Sequence, residues 1–545
     1  MTPVRKNTVD GLLHDSARRV PERIAVRYRE RTWTYAELDA AVSTGAAVLR
    51  GGYGLTEGDR VATFGHNSDA YLLAFLACAR AGLTHVPVNQ NLTGEDLAYI
   101  LENSGSALVL ADPGLAARVP EGFAVRPLRD APGSFLAALA GPAEAAGPAE
   151  VAEPAEVAEV AEVAEAAEVA EPAEVAEPAG LAGPAAFARS GDPSRLAQLL
   201  YTSGTTALPK GAMMTHEALC HEYESAIAAL DLAEGDLPVH SLPLYHSAQM
   251  HVFLLPYLAV GARNTIVDAP VPEEIFDLVE AGEADSLFAP PTVWIGLANH
   301  PDFADFAVRD LSALRKAYYG ASIMPVPVLE RLRARLPGLG FYNCFGQSEI
   351  GPLATVLRPE EHEGRMDSCG RPVHHVEARV VDEDGAEVPD GTAGEVVYRS
   401  PQLCLGYWND AEATKKAFRD GWFRSGDLAV RDPEGYFTVV DRVKDVINSG
   451  GVLVASRQVE DVLYSHPGVA EAAVVGLPDE RWIEAVTAVV VPRDGVTEAE
   501  LLAYAREKLA HFKAPKRILF VDALPRNASG KILKRTLRDR FSTPS

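Results

Sequence analysis

The sequence predicts an α/β protein with a small β-rich subdomain inserted into it. Short apolar strands alternate with helix-like segments over most of the 545 residues, the pattern of successive βα units. Between residues 376 and 398 this pattern gives way to short strands separated by Asp-Gly turns. Beyond Asp441 the alternation returns, so we expect one further α/β unit at the C-terminal end.

The elements of the first part follow from apolar runs of strand length and from longer segments with helical periodicity. The predicted strands are Ile24–Tyr28, Arg60–Phe64, 107–110, 196–200, 264–267 and Ser286–Ala289, and the predicted amphipathic helices are 35–49 and Asp69–Ala81. In the last unit we expect helices at 456–465 and 498–509 and strands at 469–476 and 485–492.

Residues 141–178 form a low-complexity repeat of Ala, Glu, Val and Pro. Eleven glutamates lie between Glu144 and Glu177, mostly at every third position, a spacing that matches neither a helix face nor a strand face. Prolines interrupt any long helix there. We therefore predict a loop insertion over about 138–190, disordered or intermittently helical, and not a domain.

Deleting residues 141–178 is expected to leave folding and turnover nearly unchanged, because no apolar stripe in this segment can join a core. Thermal melting and a turnover assay of the deletion variant check this. A large drop in Tm would show instead that the segment is structural.

Composition excludes several classes of function. The net charge is −26, and −15 remains without the eleven repeat glutamates, which argues against a nucleic-acid partner. The first twenty residues lack the apolar run of a secretory signal, so we expect none, and the sequence shows no apolar stretch of transmembrane length. Its five cysteines are widely scattered, which is typical of neither a disulfide framework nor a cysteine metal site and favours a cytoplasmic location.

The C-terminal end has the opposite charge. Residues 511–540 carry nine Lys or Arg against Asp522 and Asp539. This excess predicts a surface for an anion larger than one phosphate. A solubilising helix face is an equally good interpretation of the residues after Leu533.

The most informative segment is 201–211, with the sequence Tyr-Thr-Ser-Gly-Thr-Thr-Ala-Leu-Pro-Lys-Gly. Short hydroxyls, backbone N–H groups and glycine can wrap a phosphate chain, and Lys210 adds a positive charge. The segment is not a Walker motif, because no Gly-Lys-Ser/Thr ends it. A solvated hydroxyl-rich turn is the alternative for the hydroxyl cluster alone.

Four further motifs follow in order: Phe-Tyr-Asn-Cys-Phe-Gly-Gln-Ser-Glu at 341–349, Gly-Trp-Phe-Arg-Ser-Gly-Asp-Leu at 421–428, Asp-Arg-Val-Lys-Asp-Val-Ile-Asn-Ser-Gly-Gly at 441–451, and Leu-Pro-Arg-Asn-Ala-Ser-Gly-Lys at 524–531. With these motifs the chain resembles the adenylate-forming superfamily, which includes the acyl-CoA synthetases, over nearly its whole length outside the repeat. The resemblance implies a large N-terminal domain at 1–440 and a small mobile C-terminal domain at 441–545, with a hinge at Asp441. It also implies that a carboxylic acid reacts with ATP to give acyl-AMP and pyrophosphate. The acyl group then passes to a thiol, which we expect to be that of CoA.

The resemblance also assigns roles to residues. Thr205 and Glu349 match the Mg²⁺-binding positions, Lys531 would reach the forming anhydride, and His246 would act in an aromatic-His gate beside the acyl pocket. The nucleotide positions are Thr202, Ser203, Gly204, Thr205, Thr206, Lys210, Gly320, Ala321, Ser322, Asn343, Gly346, Gln347, Ser348, Asp427, Arg442, Lys444, Gly450, Gly451 and Lys531.

The acid is less closely defined. The segment at His246 has no carboxylate for an ammonium group, which disfavours an amino acid. Bulky apolar residues at 290–298 would form the pocket wall. We expect a medium- or long-chain fatty acid as substrate; an aryl acid and an acyl-AMP ligase serving a carrier-protein thiol are alternatives. A nucleotide-binding scaffold without catalysis is disfavoured by the complete motif set, and the sequence leaves open whether the chain forms a homodimer.

Three positions depart from the family pattern. Ser348 replaces the usual Thr but keeps a hydroxyl, and Ala207 stands where Gly is common. Val452 and Leu453 replace polar residues after the Gly-Gly pair. The last change concerns the thioester-forming step more than the adenylation step.

Overall fold

A computed structural model gives the architecture. It describes residues 8–139, 191–202, 208–299, 309–322, 324–443, 445–450, 452–479, 481–493, 495–526 and 532–542. The α-helices are Val9–Arg19, Tyr35–Ala47, Asp69–Ala81, Gly94–Ser104, Pro113–Ala116, Phe135–Leu139, His216–Ala229, Leu255–Val260, Pro272–Glu280, Pro291–Asn299, Val326–Arg335, Ala411–Ala417, Ser456–Tyr464, Glu498–Lys508 and Lys534–Phe541. Two π-helical segments, Val48–Gly52 and Ala248–Leu254, and two 3₁₀ turns, Ser348–Ile350 and Pro359–Glu361, complete the helical elements among the described residues.

Two large sheets form the centre of the N-terminal part. The first has nine strands in the order Arg371–Pro372, Thr355–Leu357, Gly340–Phe345, Lys316–Gly320, Ser286–Ala289, Pro238–His240, Asn264–Ile266, Ile24–Tyr28 and Arg31–Thr34. The second has six, in the order Val125–Pro127, Ser106–Ala111, Arg60–Phe64, Thr84–Pro87, Leu196–Thr202 and Lys210–Thr215. Both are parallel in their interior and antiparallel at one or both edges, as the βα alternation predicts.

The helix Asp69–Ala81 lies between these two sheets and is buried all round. Ser68 caps its first turn by accepting a hydrogen bond from the Tyr71 N–H, and Gly82 ends it in the left-handed conformation at φ 69°. All 13 of its residues are buried, because strands of both sheets contact it. The prediction of an amphipathic helix was therefore wrong about its faces, although its bounds are confirmed.

Two smaller antiparallel or mixed sheets follow. One contains Glu377–Val381, Ala393–Arg399, Trp422–Arg431 and Phe418–Arg419, with Phe437–Arg442 paired to Trp422–Arg431. The other contains Val452–Val454, Ile447–Ser449, Ile483–Pro492 and Val469–Asp479, with Arg517–Phe520 paired in parallel to Ile483–Pro492. The β-rich subdomain and the final α/β unit are therefore both present where the sequence predicts them.

Side-chain hydrogen bonds join the small C-terminal unit to the large one at Asp441. One carboxylate oxygen of Asp441 accepts from the Arg442 N–H at 2.8 Å, and the other accepts from the N–H and hydroxyl of Ser456 at 2.6 and 2.8 Å. The guanidinium of Arg457 donates to the carbonyls of Val439 and Asp367 in the large unit. This network anchors the first helix of the small unit at the predicted hinge.

Candidate active site

The carboxyl ends of two neighbouring parallel strands carry two of the predicted nucleotide segments. Lys316–Gly320 leads to Ala321 and Ser322, and Gly340–Phe345 leads to the 346–349 turn. Crevices at the carboxyl ends of parallel strands are where open α/β sheets bind ligands. A Cβ at Gly320 would lie 2.2 Å from the Cys344 carbonyl oxygen, and one at Gly346 would lie 2.0 Å from the Pro352 oxygen, so both positions require glycine.

Glu349 lies at the centre of the predicted phosphate side of the site. Glu349 is only 9% exposed. Its Oε1 accepts hydrogen bonds from the Thr202 hydroxyl at 3.2 Å and from the Tyr407 hydroxyl at 3.0 Å. Thr202 pairs with Lys210 across the antiparallel strands that flank the hydroxyl-rich loop. The Lys210 ammonium lies 5.3 Å from the centroid of the Tyr407 ring. The fold thus brings together Thr202, Lys210 and Glu349, which the sequence predicts for one site.

Tyr407 is a residue of this site that the sequence did not predict. Its pKa is raised, first by burial and then by the neighbouring Glu349 carboxylate, so the phenol remains a proton donor. The neighbouring Trp408 donates from its backbone N–H to the Gly211 oxygen and from its indole to the Asn103 oxygen, which fixes the turn. In the sequence, the only sign of this site residue is the pair of aromatic residues Tyr407 and Trp408 after Gly406. The contact between Tyr407 and Glu349 arises from the tertiary fold.

Replacing Tyr407 with Phe is expected to slow adenylation by roughly 10- to 100-fold, because a hydrogen bond to a charged group contributes about 1.5–3 kcal/mol. The ring beneath Lys210 is kept, so ATP binding through the ammonium should change less than turnover. Steady-state ATP–pyrophosphate exchange measures both the kcat and the KM for ATP. An unchanged kcat would show that the phenol does not position Glu349.

Asp427 and Arg442 form the predicted ribose pair. They are register partners on adjacent strands, and the Arg442 Nε lies 3.0 Å from the Asp427 Oδ1. Asp427 is only 3% exposed, whereas the Arg442 side chain is partly exposed. A carboxylate held beside a guanidinium is an acceptor that suits two sugar hydroxyls.

Asn343 connects the two sides. Its side-chain amide donates to the Ser368 carbonyl at 2.8 Å, and the Ser368 hydroxyl donates to the Phe437 carbonyl at 2.7 Å. Phe437 lies on the strand that pairs with the Asp427 strand. The strand that carries the predicted adenine-side residue Asn343 and the strands that carry the predicted ribose pair are therefore held in a fixed relation.

The segment that carries His246 lies against the Glu349 turn. The hydroxyl of Ser247, the next residue, lies 2.7 Å from the Ser348 hydroxyl. This contact uses the hydroxyl that Ser348 retains, so the substitution at that position preserves a polar function. His246 itself is half-buried at the start of the Ala248–Leu254 segment.

The small unit contributes fewer described site residues. Gly450 donates its N–H to the Trp482 carbonyl at 2.6 Å, and the adjoining strand exposes Val452 by 45% and Leu453 by 69%. The remaining predicted residues, which lie outside the described part of the chain, are Ser203, Gly204, Thr205, Thr206, Lys444, Gly451 and Lys531. Their roles stay predictions.

The oxygen groups of this site fit a magnesium ion. The Glu349 carboxylate and the Thr202 hydroxyl meet at 3.2 Å, and both are the hard oxygen ligands that Mg²⁺ prefers. The resemblance adds the Thr205 hydroxyl from the loop between Thr202 and Lys210. Bound Mg²⁺ would neutralise phosphate charge there.

Comparison with known proteins identifies the family. A family model described as AMP-binding enzyme matches residues 13–408, and one described as AMP-binding enzyme C-terminal domain matches residues 458–531. The chain belongs to the AMP-binding enzyme family. It is accordingly an AMP-forming acid–thiol ligase, and its mixed α/β fold of one large and one small domain is that of the family.

Three members of the AMP-binding enzyme family illustrate the similarity. A feruloyl-CoA synthase from an Amycolatopsis species is 36% identical over 527 residues, covering 96% of this chain and 97% of its own. A medium/long-chain-fatty-acid–CoA ligase, FadD8 of Mycobacterium tuberculosis, is 37% identical over 365 residues, covering 64% of this chain and 62% of its own. The crystal structure of ATP-bound MatB from Rhodopseudomonas palustris superposes with a TM-score of 0.82 at 28% identity, covering 98% and 99% of the two chains. Within the described residues, no helix combines the length and the apolar character that a membrane crossing requires.

Proposed function

We propose that this enzyme joins an aryl-substituted carboxylic acid to CoA by way of an acyl-AMP. The observation that carries the proposal is the convergence of Thr202, Lys210, Glu349 and Tyr407 beside the carboxyl ends of the parallel strands, with Asp427 and Arg442 paired on the adjoining sheet. Such a set suits a phosphate chain at one end and a ribose at the other.

The chemistry requires the enzyme to bring two anions together. A carboxylate oxygen of the acid attacks the α-phosphorus of ATP, the bond to the β-phosphate oxygen breaks, and pyrophosphate leaves. Lys210 would neutralise charge on the phosphates, Glu349 would help to hold Mg²⁺, and Asp427 would accept from the ribose hydroxyls. Catalysis of this kind rests on positioning and electrostatic stabilisation.

Relatives named for aromatic acids, a feruloyl-CoA synthase and an indoleacetate–CoA ligase, support an aromatic acid over the fatty acid that the sequence favoured. Trp294 is buried, and its indole N–H donates to the Tyr318 carbonyl at 3.1 Å. Trp294 is the aromatic residue of the predicted wall, and a fixed ring complements a flat acid by stacking or edge contacts, whereas a long alkyl chain needs an extended channel. The feruloyl-CoA synthase relative agrees with this choice.

A fatty acid is the second candidate, because the fatty-acid–CoA ligase from Mycobacterium tuberculosis shares 37% identity over 365 residues. The two candidates differ in the acid alone, since both use the same nucleotide residues. The substrate pocket, and not the phosphate site, must therefore decide between them.

An acid panel tests the proposal. The enzyme with ATP and Mg²⁺ is given ferulate, indole-3-acetate, octanoate or palmitate, and pyrophosphate exchange and CoA thioester are measured. We expect aryl acids to give the highest kcat/KM for both signals. Preference for octanoate or palmitate would overturn the aryl assignment, and exchange without thioester would indicate a carrier-protein acceptor. Exchange without any acid would contradict ligation altogether.

A further inference from the structure

A second group of ligand-type side chains lies on the helix His216–Ala229 and on the segment that leads into the strand Glu377–Val381. His221 and Glu224 are three positions apart on the helix and therefore share a face. His375 comes from the segment, and its Nε2 lies 2.8 Å from the Glu224 Oε2, while the His221 Nδ1 lies 3.5 Å from the same oxygen. The two imidazole rings are 4.7 Å apart.

These separations match a metal-binding triad. Zn²⁺ bonds of 2.0–2.2 Å to nitrogen and oxygen place tetrahedral ligand atoms roughly 3.3 Å apart. The three ligand atoms all lie within 4.8 Å of one another, and two of their separations fall on either side of that value. Small side-chain rotations would bring the third pair of ligand atoms to the same separation.

Two further observations point to a ligand. The His221 Nδ1 is shielded from solvent, and apart from the 3.5 Å contact with Glu224 it makes no hydrogen bond to the residues that the structure describes. The neighbouring ring of His374 lies 4.4 Å from that of His375, and both histidines line a shallow surface cleft of about 430 Å³. The cleft exposes the His375 side of the group and leaves room for water or His374 as a fourth ligand.

We propose that His221, Glu224 and His375 bind one Zn²⁺ ion. Two imidazoles and one carboxylate are a known ligand set for zinc, which completes its shell with water or a further side chain. The groups are already close without the ion. The backbone N–H of His375 donates to the Ser225 hydroxyl at 3.4 Å, and that hydroxyl donates to the side-chain oxygen of Gln402 at 2.6 Å. The site therefore adds stability to a formed structure and is not needed to fold it.

Its position gives the ion a structural role. The helix begins directly after the strand Lys210–Thr215, and the segment with His375 leads into the sheet that holds Asp427. A zinc ion would cross-link the two parts of the chain that carry the phosphate side and the ribose side of the nucleotide site. Binding to the native state alone raises its stability by mass action.

Zinc titration of the untagged, full-length enzyme after chelator treatment tests the proposal. We expect one Zn²⁺ per chain by elemental analysis, a rise in Tm with Zn²⁺, and tetrahedral d–d absorption when Co²⁺ is used. His221→Gln and His375→Gln should each weaken zinc binding by at least ~100-fold, since even partners outside the ligand set are worth 10–100-fold. His14→Gln is the matched control, because the His14 Nδ1 also contacts a carboxylate, that of Asp39, at 2.9 Å.

Far-UV circular dichroism and ATP-dependent pyrophosphate exchange monitor the fold of each variant, and neither signal should change. Should a glutamine variant unfold, His221→Asn and Glu224→Gln test the same ligand set. Substoichiometric zinc in the wild type, or full zinc affinity in the His221→Gln/His375→Gln double variant, would overturn the site.

Discussion

Replacing Glu349 with Gln should lower acid-dependent pyrophosphate exchange by roughly 100-fold or more, the scale for removing one group that stabilises charge in a transition state. Glutamine keeps an oxygen that can accept from Thr202 and Tyr407, whose hydroxyls lie 3.2 and 3.0 Å from the carboxylate. What it removes is the negative charge that a divalent cation needs. Exchange measured over a range of Mg²⁺ concentrations should therefore show a higher Mg²⁺ requirement as well as a lower maximum.

The matched control is Glu412→Gln, which removes the same charge from an exposed position in the helix Ala411–Ala417. It should leave exchange unchanged. Near-normal turnover of Glu349→Gln at ordinary Mg²⁺ concentrations would mean that the charge of Glu349 has no part in holding the metal–nucleotide complex.

The second large effect concerns the small domain. Lys531→Ala should reduce adenylation by roughly 100-fold or more, because the resemblance assigns this ammonium to the charge that develops at the forming anhydride. Thioester formation from supplied acyl-AMP and CoA should largely survive. Rapid-quench measurement of each half-reaction separates the two effects.

Lys508→Ala on the helix Glu498–Lys508 removes an exposed lysine of the same domain and serves as the control. It should change neither half-reaction. Equal losses in both half-reactions of Lys531→Ala would show that the lysine does not act in adenylation alone.

Local patterns in the sequence were sufficient to predict the bounds of individual helices and strands. The strand Arg60–Phe64 and the helix Asp69–Ala81 have the predicted bounds, because apolar period, the Ser68 cap and Gly82 act within a few residues. The faces of that helix could not be predicted, since its burial comes from a second sheet whose strands are distant in sequence. Tertiary packing decided what periodicity could not.

The site shows the same division. The motif order predicted Thr202, Lys210 and Glu349 as partners, and the fold places them around one phenol. That phenol, Tyr407, belongs to no motif we recognised, because its role depends on a contact with a residue 58 positions away. The histidine pair His221 and His375 was missed for the same reason, as their proximity arises only when the helix and the β-rich subdomain pack together.

In the proposed function, the hydrogen bonds at Asp441 couple the orientation of the small C-terminal domain to nucleotide occupancy. Arg442 follows Asp441 directly and bonds to it through the backbone, while its guanidinium contacts Asp427 at the ribose position. Any rotation of the small domain that disturbs Ser456 against Asp441 therefore changes the environment of a residue assigned to the sugar. Because such coupling is reciprocal, a nucleotide that contacts Arg442 must shift the orientation equilibrium of the small domain by the same free energy by which that orientation changes nucleotide affinity.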